Sequence, residues 1–349
     1  MNSDQILYDI KHAIHAASSI LITGQDVPDG DSLGSELALY DMLWQQKRHD
    51  KTAQGVEIVI ANDAMPPAHY GFFPHVDIIT PCETIQARQF QVGFVLDTGT
   101  DRIGAVLPVL KKCRAIITID HHQSRAQGIE QISWIDPAIC SVAEMLYDFF
   151  EHPGWNLTLT PDIAACLYGG MIYDTGSFRY PNTTAKTLRI AAKLLETGFD
   201  FSAVAERLFL EKPYSSLQLL SAVLHTLQRD ETGQIIWGVV TQDMLKQAQA
   251  DIEETDGIIT HYAFTQGVKV AILFKETSEH EIKISFRARG AIDVGKFAKA
   301  LTPKGGGHHR AAGCTLHGSL EQVQELVLQA LQQVVTRKGV YGAKNVIVA

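Results

Sequence analysis

Short apolar runs alternating with longer segments of helical period set the fold class of this chain. SILITG (19–24), EIVIAN (57–62), FVLD (94–97) and AIITID (115–120) are rich in Ile and Val and bounded by polar residues or glycine. Such runs are expected to be buried strands. Between and after them, 32–48 carries Leu33, Leu37, Leu39 and Leu43 at helical spacing, and 142–152 and 162–173 have the same character. Strands alternating with helices specify an α/β fold with a parallel sheet and helices on both faces. From 187 to 228 the pattern is helical throughout. After DETGQ it changes again: 235–240, 268–275 and 281–289 are expected strands of a second sheet, with helices at 293–301 and 319–335.

Two domains also suit a length of 349 residues, which exceeds one ordinary core. Hydrophobic residues make up 46% and charged residues 20%, a globular mixture. The formal net charge is −9, whereas a protein that coats long nucleic acid presents a basic surface. An anionic partner must then be met by a local group of cations or metal ions, which favours a small ligand. No apolar run approaches the roughly 18 residues of a membrane span. The N-terminus, MNSDQILYDIKHA, lacks a signal pattern, so a cytoplasmic location is expected. Five scattered cysteines (Cys82, Cys113, Cys140, Cys166, Cys314) read as buried free thiols.

Acidic residues fall just beyond the expected strand ends. Asp29 and Asp31 follow the first strand, Asp97 closes FVLD, and Asp120 closes AIITID ahead of His121 and His122. Asp174 ends the helix CLYGGMIYD. In an open parallel sheet, ligands bind outside the carboxyl ends of the strands. Carboxylates gathered there repel one another unless a cation lies between them. Carboxylate oxygens with one or two imidazoles suit Mn²⁺ or Mg²⁺. Taken singly, an Asp after a strand is more often a turn former or helix cap, and Asp31 before the Ser32 helix fits that role. Taken together with a D-H-H tripeptide, the metal reading is the stronger.

PDGDSLGS, VLDTGTDRIG, IDHHQS and YDTGSFRY resemble, in order and spacing, the motifs of the DHH phosphoesterases. IDPAICSVAEMLYDF (135–149) resembles the family segment between the third and fourth motifs, and GGGHHRAAG (305–313) resembles the signature of the DHHA1 domain. The layout is most similar to the nanoRNase and 3′-phosphoadenosine 5′-phosphate phosphatase branch, which includes enzymes acting on pApA and cyclic di-AMP. The resemblance implies a DHH metal-binding catalytic domain over 1–190, a helical connector over 191–230, and a DHHA1 substrate-binding domain over 231–342, with the active site in a cleft between the domains. It implies one Mn²⁺ on Asp31, Asp97, His121 and Asp174 and a second on Asp29 and Asp97, with Asp97 bridging. His122 would face the substrate phosphate, and Asp120 would orient an imidazole, both as part of the catalytic set with Asp97. One position departs from the family pattern: where a histidine ligand of the second ion is expected, this chain has Gln25. A weak second site is expected there, with Mg²⁺ as the alternative ion.

The glycine run has its own physical reading, because backbone N–H groups without Cβ atoms can approach a phosphate closely. Gly306, Gly307, His308 and Arg310 are therefore expected to bind substrate; a plain turn is the alternative. Arg179 and Arg287 are weaker candidates for phosphate contact, and Phe178 and Tyr180 are candidates for base stacking or core. The expected function is metal-dependent hydrolysis of short RNA or small nucleotides, with no long nucleic acid and no membrane as partner. Alternatives are a pyrophosphatase or polyphosphatase of the same family, and a non-catalytic nucleotide-binding regulator. The sequence leaves the oligomeric state open, a homodimer included.

Overall fold

A computed structural model of the chain describes residues 3–49, 56–122, 128–153, 155 and 157–336. The polypeptide forms two compact units, Met1–Glu211 and Lys212–Ala349.

In the first unit the chain runs α1 (Ser3–Ala16), β1 (Ser19–Thr23), α2 (Gly30–His49), β2 (Glu57–Asn62), β3 (Thr80–Pro81), β4 (Val92–Leu96), α3 (Leu107–Leu110), β5 (Ala115–Asp120), β6 (Ile132–Ile135), α4 (Val142–Glu151), α5 (Pro161–Asp174), α6 (Ala185–Leu195) and α7 (Phe201–Phe209). The strands form one parallel sheet in the order β3-β2-β1-β4-β5-β6. The order reverses between β1 and β4, and the crevice at their carboxyl ends is where open α/β sheets hold ligands. Side chains alternate across the sheet. Ile20, Ile22, Phe94, Leu96, Ile117 and Ile119 enter the large core shared with α2, α4 and α5. Leu21, Val95 and Ile116 face the other side.

Helices were expected on both faces; the second face is covered by the one-turn helix α3 and short 3-10 turns such as Cys82–Ile85 and Gly104–Val106. The intervening segment carries Pro66, Pro67, Pro74 and Pro81, which interrupt helical hydrogen bonding. The strand β6 was not anticipated; its short ISWI run lacks flanking turn glycines. Trp134 is buried on it.

The second unit contains α8 (Tyr214–His225), β7 (Gln228–Arg229), β8 (Ile235–Val240), α9 (Gln242–Ala248), α10 (Thr260–Ala263), β9 (Val270–Ser278), β10 (Glu281–Ala288), α11 (Val294–Leu301), β11 (Gly306–Gly307), β12 (Ala311–His317) and α12 (Leu320–Thr336). Its mixed sheet has the order β11-β12-β10-β9-β8-β7, with β8 and β9 parallel and the remaining pairs antiparallel. One face packs on α11 and α12; part of the other packs on α8, α9 and α10.

Residues 191–230 are largely helical and divide: Leu194, Val204 and Leu208 join the first core, whereas Leu219 and Val223 join the second unit. The five cysteines are free; four are buried and Cys113 is half-buried. Among the described residues, no helix is long and apolar enough to cross a membrane.

Candidate metal centre

Each acidic motif is delivered by a chain reversal at the same edge of the parallel sheet. β1 ends at Thr23, and the chain reaches α2 through Asp29. Asp97 follows β4 with φ +61, a left-handed conformation that Asp tolerates better than most residues. His121 and His122 follow β5 directly. Asp174 is the last residue of α5, and the next turn holds Gly176, Ser177 and Phe178 all at positive φ.

These reversals bring together Asp31, Asp97, His121 and Asp174, whose ligand atoms lie within 4.8 Å of one another. His121 Nε2 stands 2.9 Å from Asp174 Oδ2 and 3.4 Å from Asp97 Oδ1. Asp31 is fully buried. Its Oδ2 accepts from Val142 N–H at 2.7 Å, and its Oδ1 accepts from Ala143 N–H at 3.0 Å and from Ser35 Oγ at 3.3 Å. Val142 and Ala143 open α4, whose cap is Ser141. The positive end of that helix thus faces the carboxylate. A second group, Asp97 with His121 and His122, shares two of these residues. His122 Nδ1 lies 2.7 Å from Asp120 Oδ1, which also accepts from the His122 backbone N–H at 3.1 Å. That clamp places the ring proton on Nδ1 and makes Nε2 the acceptor of the neutral imidazole.

The electrostatics of the cluster follow from packing carboxylates together. Burial, then the Asp174 charge, pushes Asp31 up to about 8 and Asp29 up to about 6. Burial and the charges of Asp29 and Asp31 raise Asp97 well above the carboxylate range. Burial opposes a charge on His121, but the neighbouring carboxylates of Asp174 and Asp97 outweigh it and raise the imidazole to about 12. Asp120 behaves oppositely: burial works against its charge, yet the hydrogen bonds from the His122 side chain and backbone hold its carboxyl low. A divalent ion among Asp31, Asp97, His121 and Asp174 would offset the mutual repulsion of the carboxylates. The residues fit one. Asp97 Oδ1 is buried and accepts no hydrogen bond, and three carboxylates with one imidazole form a hard donor set.

Two expectations change here. The helix cap is Asp29, not Asp31: Asp29 Oδ1 accepts from the backbone N–H of Asp31 at 3.0 Å and of Ser32 at 3.1 Å. The helix accordingly begins at Gly30, two residues earlier than its apolar period suggested. Gln25, expected as a weak oxygen ligand, instead directs its amide nitrogen to Asp97 Oδ2 at 3.4 Å and also hydrogen-bonds Asp29. Asp29 falls in neither group of potential ligands.

The expected substrate residues divide as follows. Arg179 is exposed, and its Nε donates to Gly176 O at 2.5 Å. Phe178 packs on the core, and Tyr180 is exposed. In the second unit, Arg287 is half-buried and donates to Phe286 O. Gly306 and Gly307 form a short strand against β12, and His308 N–H is taken by Ala311 O at 2.7 Å. At Gly307 φ is +133 and a Cβ would lie 2.5 Å from Ala311 O, so this glycine answers to the turn itself. His308 and Arg310 stand exposed at its tip.

Sequence reasoning missed the α4 N–H pair on Asp31, although S-V-A-E (141–144) carries an N-cap signature. It also missed a buried network beneath the site. Glu36 Oε2 accepts from Asn62 Nδ2 at 2.7 Å and its Oε1 from Ser32 Oγ at 3.0 Å. Asn62 Oδ1 in turn accepts from Thr23 Oγ1 and Gly24 N–H, both at 3.2 Å. Gly24 is required at this crossing, since a Cβ would lie 2.1 Å from Glu36 Oε1.

Residues 19–171 match the family model for the DHH family N-terminal domain, and 234–337 match that for the DHHA1 domain. A Thermus thermophilus protein named bifunctional oligoribonuclease and PAP phosphatase NrnA is 32% identical over 314 residues, covering 89% of each chain. A Bacillus subtilis protein of the same name is 28% identical over 206 residues, covering 58% of this chain and 63% of its own. Among solved structures, an exopolyphosphatase-related protein from Bacteroides fragilis superposes with a TM-score of 0.85 at 23% identity, covering 94% of this chain and 96% of its own, a likeness of fold. A RecJ exonuclease bound to manganese gives 0.50 at 14% identity, covering 96% and 94%. Matched in chain order by both family models, and by a 32% identical relative along most of its length, the chain belongs to the DHH–DHHA1 phosphoesterases, in the branch of the bifunctional oligoribonucleases and PAP phosphatases.

Proposed function

We propose that this phosphoesterase is a Mn²⁺-dependent hydrolase of short oligoribonucleotides and small nucleotides such as adenosine 3′,5′-bisphosphate or pApA, releasing nucleoside monophosphates. One observation carries the reading: a buried Asp31–Asp97–His121–Asp174 group at the sheet's switch point, with an Asp97 oxygen that no protein hydrogen bond satisfies. The names of the relatives supply the substrate class.

Asp31, Asp97, His121 and Asp174 would hold the ion. A bound divalent cation there supplies neutralisation of phosphoryl charge and activation of water. The α4 N–H pair fixes the rotamer of Asp31, so that its remaining lone pairs stay aimed at the group. Asp120 fixes the ring of His122 through Nδ1, which directs Nε2 toward a substrate oxygen as hydrogen-bond partner or proton carrier. His121 must be neutral to ligate, and replacement of its proton by the ion couples binding to pH. A second ion would have Asp97, one remaining oxygen of Asp29 and no imidazole, with the Gln25 amide directed between them. That second site is the weaker. On the second unit, Arg287, His308 and Arg310, together with Gly306 and Gly307, would contact the substrate's phosphates or base.

The test is incubation of the full-length protein with Mn²⁺ and a panel of di- to pentaribonucleotides, pApA, cyclic di-AMP, adenosine 3′,5′-bisphosphate and pyrophosphate, with product analysis. Release of monophosphates that stops on chelation is expected. Turnover that survives exhaustive chelation, or confined to pyrophosphate, refutes the reading.

A further inference from the structure

The second unit carries cations that the metal cluster does not use. Lys275, near the end of β9, is 5% exposed. Its Nζ donates to Thr255 Oγ1 at 3.3 Å, which occupies one of three ammonium donors. Among the described residues, no carboxylate makes an ion pair with it within 4.0 Å. Directly across the sheet stands Lys283 on β10. A like-charged pair facing across two strands is destabilising. Burial pulls the Lys275 ammonium down; Asp256 works against that, whereas Lys283 and Arg287 add to it.

The sheet places these residues on one face. Ile282, Ile284 and Phe286 of β10 point into the core with α11 and α12, so Lys283, Ser285 and Arg287 point the other way. On that side, the apolar cluster under α8, α9 and α10 draws on Ile236, Val240, Ala271 and Leu273 of β8 and β9. It takes no residue from β10 or β12. Beside the row, the β12 residues in register with Arg287 and Ser285 are Ala311 and Gly313, too small to cover it. The sign of the face changes at Glu281, whose Oε1 accepts from Thr277 Oγ1 at 2.6 Å.

We propose that Lys275, Lys283 and Arg287 form a binding face for phosphoryl groups. The identity of its ligand as a nucleotide phosphate rests on the function proposed above; the cation geometry does not. An anion between Lys275 and Lys283 turns a repulsive pair into charge-assisted hydrogen bonds. Four residues of strand separate Lys283 from Arg287, about 13 Å, so the face suits a short ligand and becomes repulsive at Glu281.

Calorimetric titration of the full chain in EDTA, where no turnover occurs, tests this with adenosine 3′,5′-bisphosphate, AMP, the dinucleoside monophosphate ApA and inorganic phosphate as probes. Lys283→Gln and Lys275→Met should each weaken the bisphosphate by roughly tenfold or more, the loss of one charged hydrogen bond. ApA weakened in parallel identifies an internal phosphodiester as the ligand; ApA unchanged identifies a terminal phosphate. Lys275→Met should also melt higher than the wild type in phosphate-free buffer, because a buried charge repelled by Lys283 and Arg287 has gone. Bisphosphate addition should raise the melting temperature of the wild type more than that of the variant. The site is refuted if the wild type binds no bisphosphate, if both variants bind all probes normally, or if Lys275→Met melts lower while Lys283→Gln binds normally. The nucleotide assignment fails if inorganic phosphate binds as tightly as the nucleotides. Failure of turnover in Mn²⁺ counts against the proposed function and leaves these binding results standing.

Discussion

Asp31 Oδ2 accepts a 2.7 Å hydrogen bond from the backbone N–H of Val142, a residue 111 positions away in the chain. With Ala143 N–H on Oδ1, the contact ties the first acidic motif to the N-terminus of α4. The carboxylate therefore serves as acceptor for a helix end and, in the proposed centre, also as metal ligand.

The double role separates two effects in one variant. Asp31→Ala should abolish turnover and also lower the stability of the metal-free protein. Two buried N–H groups lose their acceptor, each at a cost of about 1–3 kcal/mol, offset in part by the removal of a repelled carboxyl. Urea unfolding in EDTA reads the second effect. Wild-type stability there would mean that the α4 contact contributes nothing.

Asp97 should behave oppositely. Its carboxylate is buried, one oxygen accepts no hydrogen bond, and Asp29 and Asp31 repel it. Asparagine keeps the left-handed backbone at φ +61 and removes the charge. Asp97→Asn should lose most activity yet melt higher than the wild type in EDTA, by roughly 2–4 °C for each kcal/mol relieved. Mn²⁺ should raise the melting temperature of the wild type and leave the variant nearly unmoved. A metal-free variant that melts lower would show that the cluster is not electrostatically strained.

Glu36 makes a pH prediction outside the metal ligands. Burial raises its carboxyl from 4.5 to about 7, against hydrogen bonds from Asn62 and Ser32 that favour the ionised form. The folded state therefore prefers the protonated acid. That preference is fully present below pH 4.5 and is lost as pH rises through about 7, a change of about 3 kcal/mol. Glu36→Gln stays neutral throughout, and its amide can accept from Asn62 and donate to Ser32. Denaturation between pH 5 and 8 should show a flatter stability profile for the variant and a crossover in its favour at the alkaline end. Parallel profiles would place the pH dependence elsewhere.

The parts of this fold that were legible in the sequence are those set by local periodicity. The Ile and Val runs of β1, β4 and β5 are buried on both faces, so composition alone marks them. The Asp and His residues after those strands were legible because their types and spacing are unusual together. What escaped depends on partners distant in sequence. The α4 N–H donors carry no side-chain signature, and the Glu36–Asn62 bond joins residues that would each pass as a surface polar group. The exchange of cap role between Asp29 and Asp31 turns on which carboxylate points along the helix axis, a two-residue distinction below the resolution of an apolar period.

Gln25 should set how many ions the proposed centre holds. Its Nε2 reaches Asp97 Oδ2 at 3.4 Å and the same side chain hydrogen-bonds Asp29, so a neutral donor lies between the two carboxylates that a second ion would need. Asp29 Oδ1 is also engaged by the start of α2. A cation entering there must displace the amide and gains no imidazole, the nitrogen donor that suits first-row metals. The wild type should therefore bind one Mn²⁺ tightly and a second only at much higher free concentration. Gln25→His replaces the amide with a ligand. It should raise the tight stoichiometry toward two ions and lower the Mn²⁺ needed for half-maximal rate. Electron paramagnetic resonance gives a readout independent of turnover, because two adjacent Mn²⁺ ions couple and a lone ion does not. Isolated-ion spectra are expected for the wild type at one equivalent, and coupled spectra for the variant at two. Equal tight binding of two coupled ions in the wild type, with no shift in the histidine variant, would leave Gln25 without influence on the second site.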